Sequence, residues 1–317
     1  MRERSYAIIG TGAVGGFYGG RLARAGLDVH FLLHSDYEHV RRRGLVIESA
    51  EGDFALPQVQ AYTRAAEMPR ADVVILALKT TRNELLGELL APVTADDGVV
   101  LVLQNGLGVD EQAAAVVGPD RAMGGLCFLC CNKIGPGRIH HLDYGFITLA
   151  EFSADGLPRG TTDRMRAIGA DFEAAGIEIR LADDLLLARW RKLVWNVPFN
   201  GLSVLLDAQV DELMADAASR QLVEEIMTEI VDAAAACGKA IERDFVEYML
   251  GLSDKMKPYR TSMKIDHDLG RPMEVEAIVG NALRAGRRHG ASVPRLDMLY
   301  QALRFLDPRS YSAAATS

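Results

Sequence analysis

The chain lacks any long apolar run. Its longest, such as 73–78 and 99–103, suit buried strands and fall far short of a membrane span. It also lacks an excess of positive charge. With 35 Lys and Arg against 43 Asp and Glu, the net charge of −8 argues against nucleic acid or an anionic membrane as the main partner. Cysteine is scarce, with four residues at 127, 130, 131 and 237. Cys127, Cys130 and Cys131 cluster, yet no second ligand pair stands at zinc spacing, although His140 and His141 follow. Reduced thiols in a cytoplasmic protein are therefore expected, and no metal site. The opening stretch MRERSYAIIG enters a strand at once, without a signal-peptide hydrophobic region. There is no internal repeat, and the only low-complexity tract is a small-residue tail, 313–317, expected to fray. What remains, 317 residues that are 49% hydrophobic and 25% charged, is a soluble globular composition sized for two domains.

The first half alternates strand and helix patterns. Residues 6–9 form a short apolar strand that runs into Gly10-Thr11-Gly12-Ala13-Val14-Gly15. A helical pattern follows over 17–25, Gly26 is placed to end it, and 29–33 reads as a second strand. Strand, Gly-rich turn, helix and strand within about thirty residues is the context in which GxGxxG binds a dinucleotide. Gly10 permits the tight turn, Gly12 lets backbone approach a pyrophosphate, Gly15 lets the helix pack on the sheet, and the helix N-terminus faces the phosphates. Where an NAD enzyme carries Asp or Glu after the second strand, this chain has Leu33-His34-Ser35, with Asp36 the nearest acid. NADP(H) is favoured and NAD(H) is not excluded. Arg41, Arg42 and Arg43 read as a solvated cap to a helix dipole.

Buried-strand patterns recur at 71–78, followed by Lys79, and at 99–103, followed by Gln104-Asn105-Gly106. Strand C-termini of a parallel sheet point toward a ligand, which makes Lys79 and Asn105 candidates for cofactor or substrate contact. An exposed lysine and plain turn chemistry are the alternatives. From 123 to 152 the pattern suggests short antiparallel strands, then a helix over 161–175 and a strand over 177–181. Beyond 182 the chain reads as helical, with helices expected at 184–205, 216–237, 243–256, 273–289 and 294–306. The expected architecture is an α/β dinucleotide-binding domain, 1–182, followed by an all-α domain, 183–317.

Within the helical half, 189–200 reads RWRKLVWNVPFN. Lys192, Asn196 and Asn200 fall at i, i+4 and i+8 on one side, while Trp190, Leu193, Val194 and Val197 form a core-facing side. Such a row can grip and protonate a small anion, or it can be a solvated stripe. Pro198 lies inside this helix and should kink it. Pro272 suits a first helical position, and Glu274 just after it would then be a helix-dipole acid.

Taken together these segments resemble the ketopantoate reductase (2-dehydropantoate 2-reductase) family over nearly the whole chain. The match lies in the N-terminal GxGxxGG, Lys79, Asn105-Gly106 in QNGLG, the 136–140 segment PGRIH, Trp190-x-Lys192-Leu193-x-x-Asn196-x-x-x-Asn200, and Ser262 with Glu274 twelve residues later. The resemblance implies a Rossmann domain joined to a helical domain, with NADPH reducing 2-ketopantoate to pantoate on the route to coenzyme A. It makes Lys192 the general acid, a role that desolvation would sharpen by lowering a lysine's pKa. Glu274 would orient that ammonium and touch substrate or cofactor. Asn105, Asn196, Asn200 and Ser262 would hydrogen-bond the substrate, and Gly10 through Gly15, His34, Lys79, Asn105 and Glu274 would hold the cofactor. Some family members pair, and the helical domain is a plausible surface for a homodimer.

The chain departs from the family at several points. His34 replaces the Arg that grips the 2′-phosphate, Val210 and Tyr259 replace two substrate-binding Asn, and Gly201 replaces a Pro. Another small 2-oxo acid is therefore an alternative substrate. A 3-hydroxyacid or polyol dehydrogenase and a non-catalytic NADP(H)-binding sensor are the rival readings. Retention of Lys192 and Glu274 argues against the sensor, which needs no proton donor. If His34 lies at the 2′-position, His34→Arg will tighten NADPH relative to NADH in a binding titration; equal effects on both place it elsewhere.

Overall fold

The computed structural model describes residues 4–307, and the small-residue tail 313–317 lies outside them. By their mutual contacts these residues group into two compact units, 4–104 with 109–185 and 105–108 with 186–307.

The first unit contains β1 (Ser5–Ile9), α1 (Ala13–Arg24), β2 (Asp28–Leu32), α2 (Tyr37–Arg43), β3 (Leu45–Ser49), β4 (Phe54–Leu56) and β5 (Gln60–Tyr62). It continues with β6 (Ala71–Leu76), α3 (Leu86–Leu90), β7 (Thr94–Val102), α4 (Val109–Val117), β8 (Ala122–Gly135), β9 (Arg138–Glu151), α5 (Asp163–Ala174) and β10 (Ile179–Leu181). The strands make one sheet in the order β4-β3-β9-β8-β7-β6-β1-β2-β5, with β10 paired to β9. From β5 through β2, β1, β6 and β7 to β8 all neighbours are parallel. A parallel strand is covered on both faces, which is why β1 is apolar almost throughout and buried at every residue. Strand order reverses at β1, which lies between β2 and β6, and that reversal is where a doubly wound sheet opens for a ligand. The unit is a Rossmann-type α/β domain.

Two parts of this unit differ from the sequence expectation. The 123–152 stretch is a single long hairpin of two 14-residue strands rather than several short ones. Register shifts at Phe128/Leu129, Cys130/Cys131 and Lys133/Gly135 interrupt its alternation, so the period-2 signal breaks into pieces. The short strands β3, β4 and β5 are not anticipated from the sequence.

The second unit is all-helical: α6 (Leu185–Leu205), α7 (Val210–Ala215), α8 (Ala217–Ala236), α9 (Asp244–Ser253), α10 (Ser262–Asp268), a π-turn at Glu276–Gly280, α11 (Asn281–Arg288) and α12 (Pro294–Leu306). Trp190, Leu193, Val194 and Val197 of α6 enter its core beside Ile226 and Ile230 of α8 and Leu296 and Leu299 of α12. α6 runs its 21 residues through Pro198 without a break. The helix expected over 273–289 begins later and is not regular. Residues 271–274 are non-helical, and Glu274 accepts the Ile278 N–H on its carbonyl at 3.1 Å. Pro272 is thus outside the helix, and Glu274 stands at its threshold rather than in a first α-turn. Of the two short helices, α7 is not expected from the sequence, whereas α10 begins within 259–263, a stretch after Pro258 that reads as a turn or the entry to a helix. Among the described residues no helix is long and apolar enough to cross a membrane.

Candidate active site

In the first unit the candidate residues gather at the C-terminal ends of parallel strands. β1 ends in Gly10, whose φ of +96° favours glycine and whose added Cβ would collide with the Leu78 backbone. Gly12 donates its N–H to the Gly10 carbonyl at 2.8 Å, closing the turn. A Cβ on Gly15 would strike that same carbonyl, whereas above Gly12 nothing lies within 4 Å. The turn is therefore closed toward the protein and open outward. α1 then starts with Ala13 and Val14, has no side-chain cap and carries no acid in its first turn. Its N-terminal amides remain available to an anion, so these residues fit a dinucleotide's pyrophosphate. Thr11 is buried and its hydroxyl donates to Leu32 O at 2.8 Å, tying the turn to the end of β2.

Beyond β2, His34 and Ser35 are exposed, and Asp36 is only 6% exposed. The Asp36 carboxylate receives Lys133 Nζ at 2.6 Å and the Gly137 N–H at 3.0 Å. Lys133 also donates to Thr11 O at 3.2 Å. This lysine, absent from the sequence reading, brings a cation to the Gly-rich turn and the β2 end together. Arg41 and Arg42 pair with exposed Glu38 on α2, the solvated cap that the sequence suggested. Lys79 is half-buried and opens the turn at 80–85 with extended backbone. Gln104 donates to Leu78 O at 2.8 Å and to Asn83 Oδ1 at 2.6 Å, clamping the ends of β6 and β7 just before Asn105.

The cysteine cluster lies in β8, with none of the three in a disulfide. Cys131 donates weakly to Ala13 O at 3.7 Å, and burial with Cys130 beside it pushes its thiol well above the usual range. His141 is held by Ser49 Oγ and Tyr144 O. Among the described residues no three His, Cys, Asp or Glu side chains are grouped to hold a metal ion.

In the second unit, α6 does not present a solvated stripe. Lys192 is half-buried, Asn196 is 7% exposed and Asn200 is 3% exposed. The two asparagines differ in what they do. Asn200 donates through Nδ2 to Asn196 O at 2.9 Å and accepts on Oδ1 from the Met263 N–H at 3.2 Å. Ser262 Oγ reaches the same Oδ1 at 3.5 Å. Asn200 therefore joins α6 to the start of α10. Asn196, by contrast, forms no side-chain hydrogen bond with any described residue. Its amide is nearly buried and available, one turn from Lys192.

Glu274 is 5% exposed at the threshold of the π-turn. The Asn105–Gly108 loop groups with this unit, because Leu107 N–H donates to Ala277 O at 2.9 Å and Asn281 Nδ2 donates to Leu107 O at 2.6 Å. Asn105 itself is half-buried with no side-chain hydrogen bond to a described residue. Val210 is fully buried in the helical core, and its N–H donates to Tyr259 O at 3.1 Å. Two of the positions that depart from the family pattern, Val210 and Tyr259, are thus paired through their backbones.

This division of labour can be measured. Asn200→Ala leaves the Met263 N–H without its acceptor and should cost about 1–3 kcal/mol in denaturant unfolding. Asn196→Ala should leave stability nearly unchanged while weakening the binding of a small anion. Equal losses of stability in both variants would contradict the assignment.

Two family models cover most of the chain: Ketopantoate reductase PanE/ApbA over residues 6–154 and its C-terminal counterpart over 184–307. The chain is 56% identical over 316 residues to a 2-dehydropantoate 2-reductase of Nostoc sp., covering 100% of this chain and 99% of that protein. Its fold is similar to the crystal structure of the Geobacter metallireducens 2-dehydropantoate 2-reductase, with TM-score 0.91, 44% identity and coverage of 95% and 99%. The corresponding Methylococcus capsulatus structure gives TM-score 0.85 at 36% identity, with 96% and 97% covered. With both units matched, the chain belongs to the ketopantoate reductase family.

Proposed function

We propose that this chain reduces the ketone of 2-dehydropantoate to the alcohol of pantoate, with a nicotinamide dinucleotide held on the Gly10–Gly15 turn. The observation that carries this reading is the 56% identity to a 2-dehydropantoate 2-reductase along the whole chain. The bound dinucleotide supplies the hydride. As the ketone carbon is reduced, negative charge grows on its oxygen, and a donor must neutralise it. Lys192 provides that proton, and its half-buried setting on α6 limits competing solvation. Asn196 supplies an amide whose hydrogen-bonding capacity is otherwise unused in a nearly dry position, which suits an oxygen of the substrate. Asn105 and Ser262 add neutral polar groups that can fix the oxo acid, and Glu274 orients the ammonium. Asn200 acts one step back, by holding the start of α10 and so Ser262.

For the cofactor, the reading extends to a preference for NADP(H). Asp36 is the acid nearest the place where an NAD enzyme binds its ribose, but its carboxylate is buried and engaged by Lys133 and Gly137. Lys133 is the more exposed partner of that pair. An ammonium has three donors, and the Asp36 and Thr11 contacts use two of them. The third is left to meet a phosphate oxygen beside the exposed His34.

Following NADPH and NADH absorbance with a panel of 2-oxo acids tests the activity. 2-Dehydropantoate should be reduced fastest, and oxidation of neither cofactor with any member sinks the proposal. Another oxo acid reduced faster would trace the departures at Val210 and Tyr259. Lys192→Ala should lower kcat by about 10²–10⁴-fold, the scale of a lost general acid; an unchanged kcat removes it from that role. Lys133→Met should weaken NADPH binding more than NADH binding in a titration without substrate. Equal weakening means that Lys133 only shapes the turn.

A further inference from the structure

We infer that Asn281, held by Glu276, Arg284 and Tyr300, is a positioning residue that mounts the Asn105 loop on the π-turn. The inference deepens the reductase reading and rests on it. It starts from an irregularity in the helix. In a regular α-helix the Asn281 N–H would bond to Ala277 O. Here it bonds one residue further back, to Glu276 O, as a π-turn requires. Ala277 O loses that donor and accepts the Leu107 N–H instead, at 2.9 Å.

The other polar group of the Leu107 backbone is taken by the same element. Its carbonyl accepts Asn281 Nδ2 at 2.6 Å. Both backbone groups of Leu107 are therefore fixed by two positions four residues apart. The approach is close enough that a Cβ on Gly106, where φ is +105°, would collide with the Ala277 carbonyl. Asn105, immediately before, takes its place from this docking.

The orientation of the Asn281 amide is enforced from behind. Oδ1 accepts Arg284 Nη2 at 2.7 Å, so the NH₂ must face Leu107. Arg284 Nη2 also donates to Glu276 Oε2 at 2.5 Å, and its Nη1 reaches Tyr300 OH at 3.2 Å. Tyr300 OH donates to Glu276 Oε1 at 2.6 Å, and burial together with that carboxylate raises its phenol, so it stays a donor. The absence of a side chain at Gly280 leaves room for the network, since a Cβ there would stand 2.7 Å from Glu276 Oε2. Glu274 begins the same stretch three residues before Ala277. One element thus sets both Glu274 and the loop that carries Asn105.

Asn281→Asp tests this with little change of shape. Aspartate keeps the acceptor for Arg284 and, in place of the donor to Leu107 O, sets a carboxylate oxygen that repels that carbonyl. The expected result is faster amide hydrogen exchange across 105–108, a fall in kcat/KM for the 2-oxo acid of about 10–100-fold, and a thermal midpoint close to that of the parent. Tyr300→Phe, which removes one hydroxyl at the far end, should give smaller changes of the same kind and serves if the first variant fails to fold. Parental exchange at 105–108 overturns the inference, as does faster exchange with parental kcat/KM. The exchange measurement needs no turnover, so a failure of the reductase reading is told apart by the parent's own inactivity with every oxo acid.

Discussion

Backbone N–H and C=O groups withdrawn from water must be paired, and this chain's candidate site is organised by the places where helix and strand cannot pair their own. Ala277 O is relieved of its helical donor by the π-turn and takes up Leu107. The first turn of α10 has amides without helical partners, and Asn200 reaches across to receive one from Met263. Gly137 N–H, in the hairpin turn, is received by Asp36. In each case the solution brings a segment with candidate functional residues to a fixed place: Asn105, Ser262 and the rim of the Gly-rich turn. At the start of α1 the opposite holds. Its amides have no side-chain cap, and that opening is what a pyrophosphate would fill.

The same constraint sorts residues of one chemical type into different tasks. Asn196 and Asn200 are both buried asparagines on one face of α6, yet only Asn200 ties its amide to other described residues. Asp36, a nearly buried carboxylate, is engaged by a lysine and a turn amide within the first unit. A carboxylate engaged in this way would oppose a 2′-phosphate less than an open one. The charge at the rim is therefore decided by β8, a strand more than ninety residues further along the chain.

Much of this was legible in the residues themselves, wherever type and spacing carry the physics. Gly10, Gly12 and Gly15 could be read because a tight turn, an open approach and close helix packing each demand glycine. The core face of α6 could be read from its period, and the break from α/β to all-α from the loss of strand alternation. Lys133 could not, because nothing local distinguishes it. Only pairing of the bulged β8–β9 hairpin brings it to Thr11 and Asp36. The π-turn has no sequence signature, so 273–289 reads as one regular helix. The separation of Asn200 from Asn196 was equally hidden, since it depends on what α10 presents to each.

The departures at Val210 and Tyr259 take on a different meaning in this frame. A fully buried valine at the start of α7 contributes to the helical core, so its replacement of an asparagine adds apolar packing as well as removing a polar group. Its N–H holds Tyr259 O, two residues before Thr261, whose hydroxyl caps α10 by receiving the Lys264 N–H at 3.3 Å. From the other side Asn200 holds Met263. Ser262 is thus bracketed by a backbone pair and a side-chain pair, neither of which requires an asparagine at 210 or 259. The polar grip is thinned at these two positions while the scaffold that aims Ser262 is retained. On the proposed function, selection among oxo acids would fall more heavily on the groups that remain, Asn196 and Ser262 in the helical unit and Asn105 on the loop it carries.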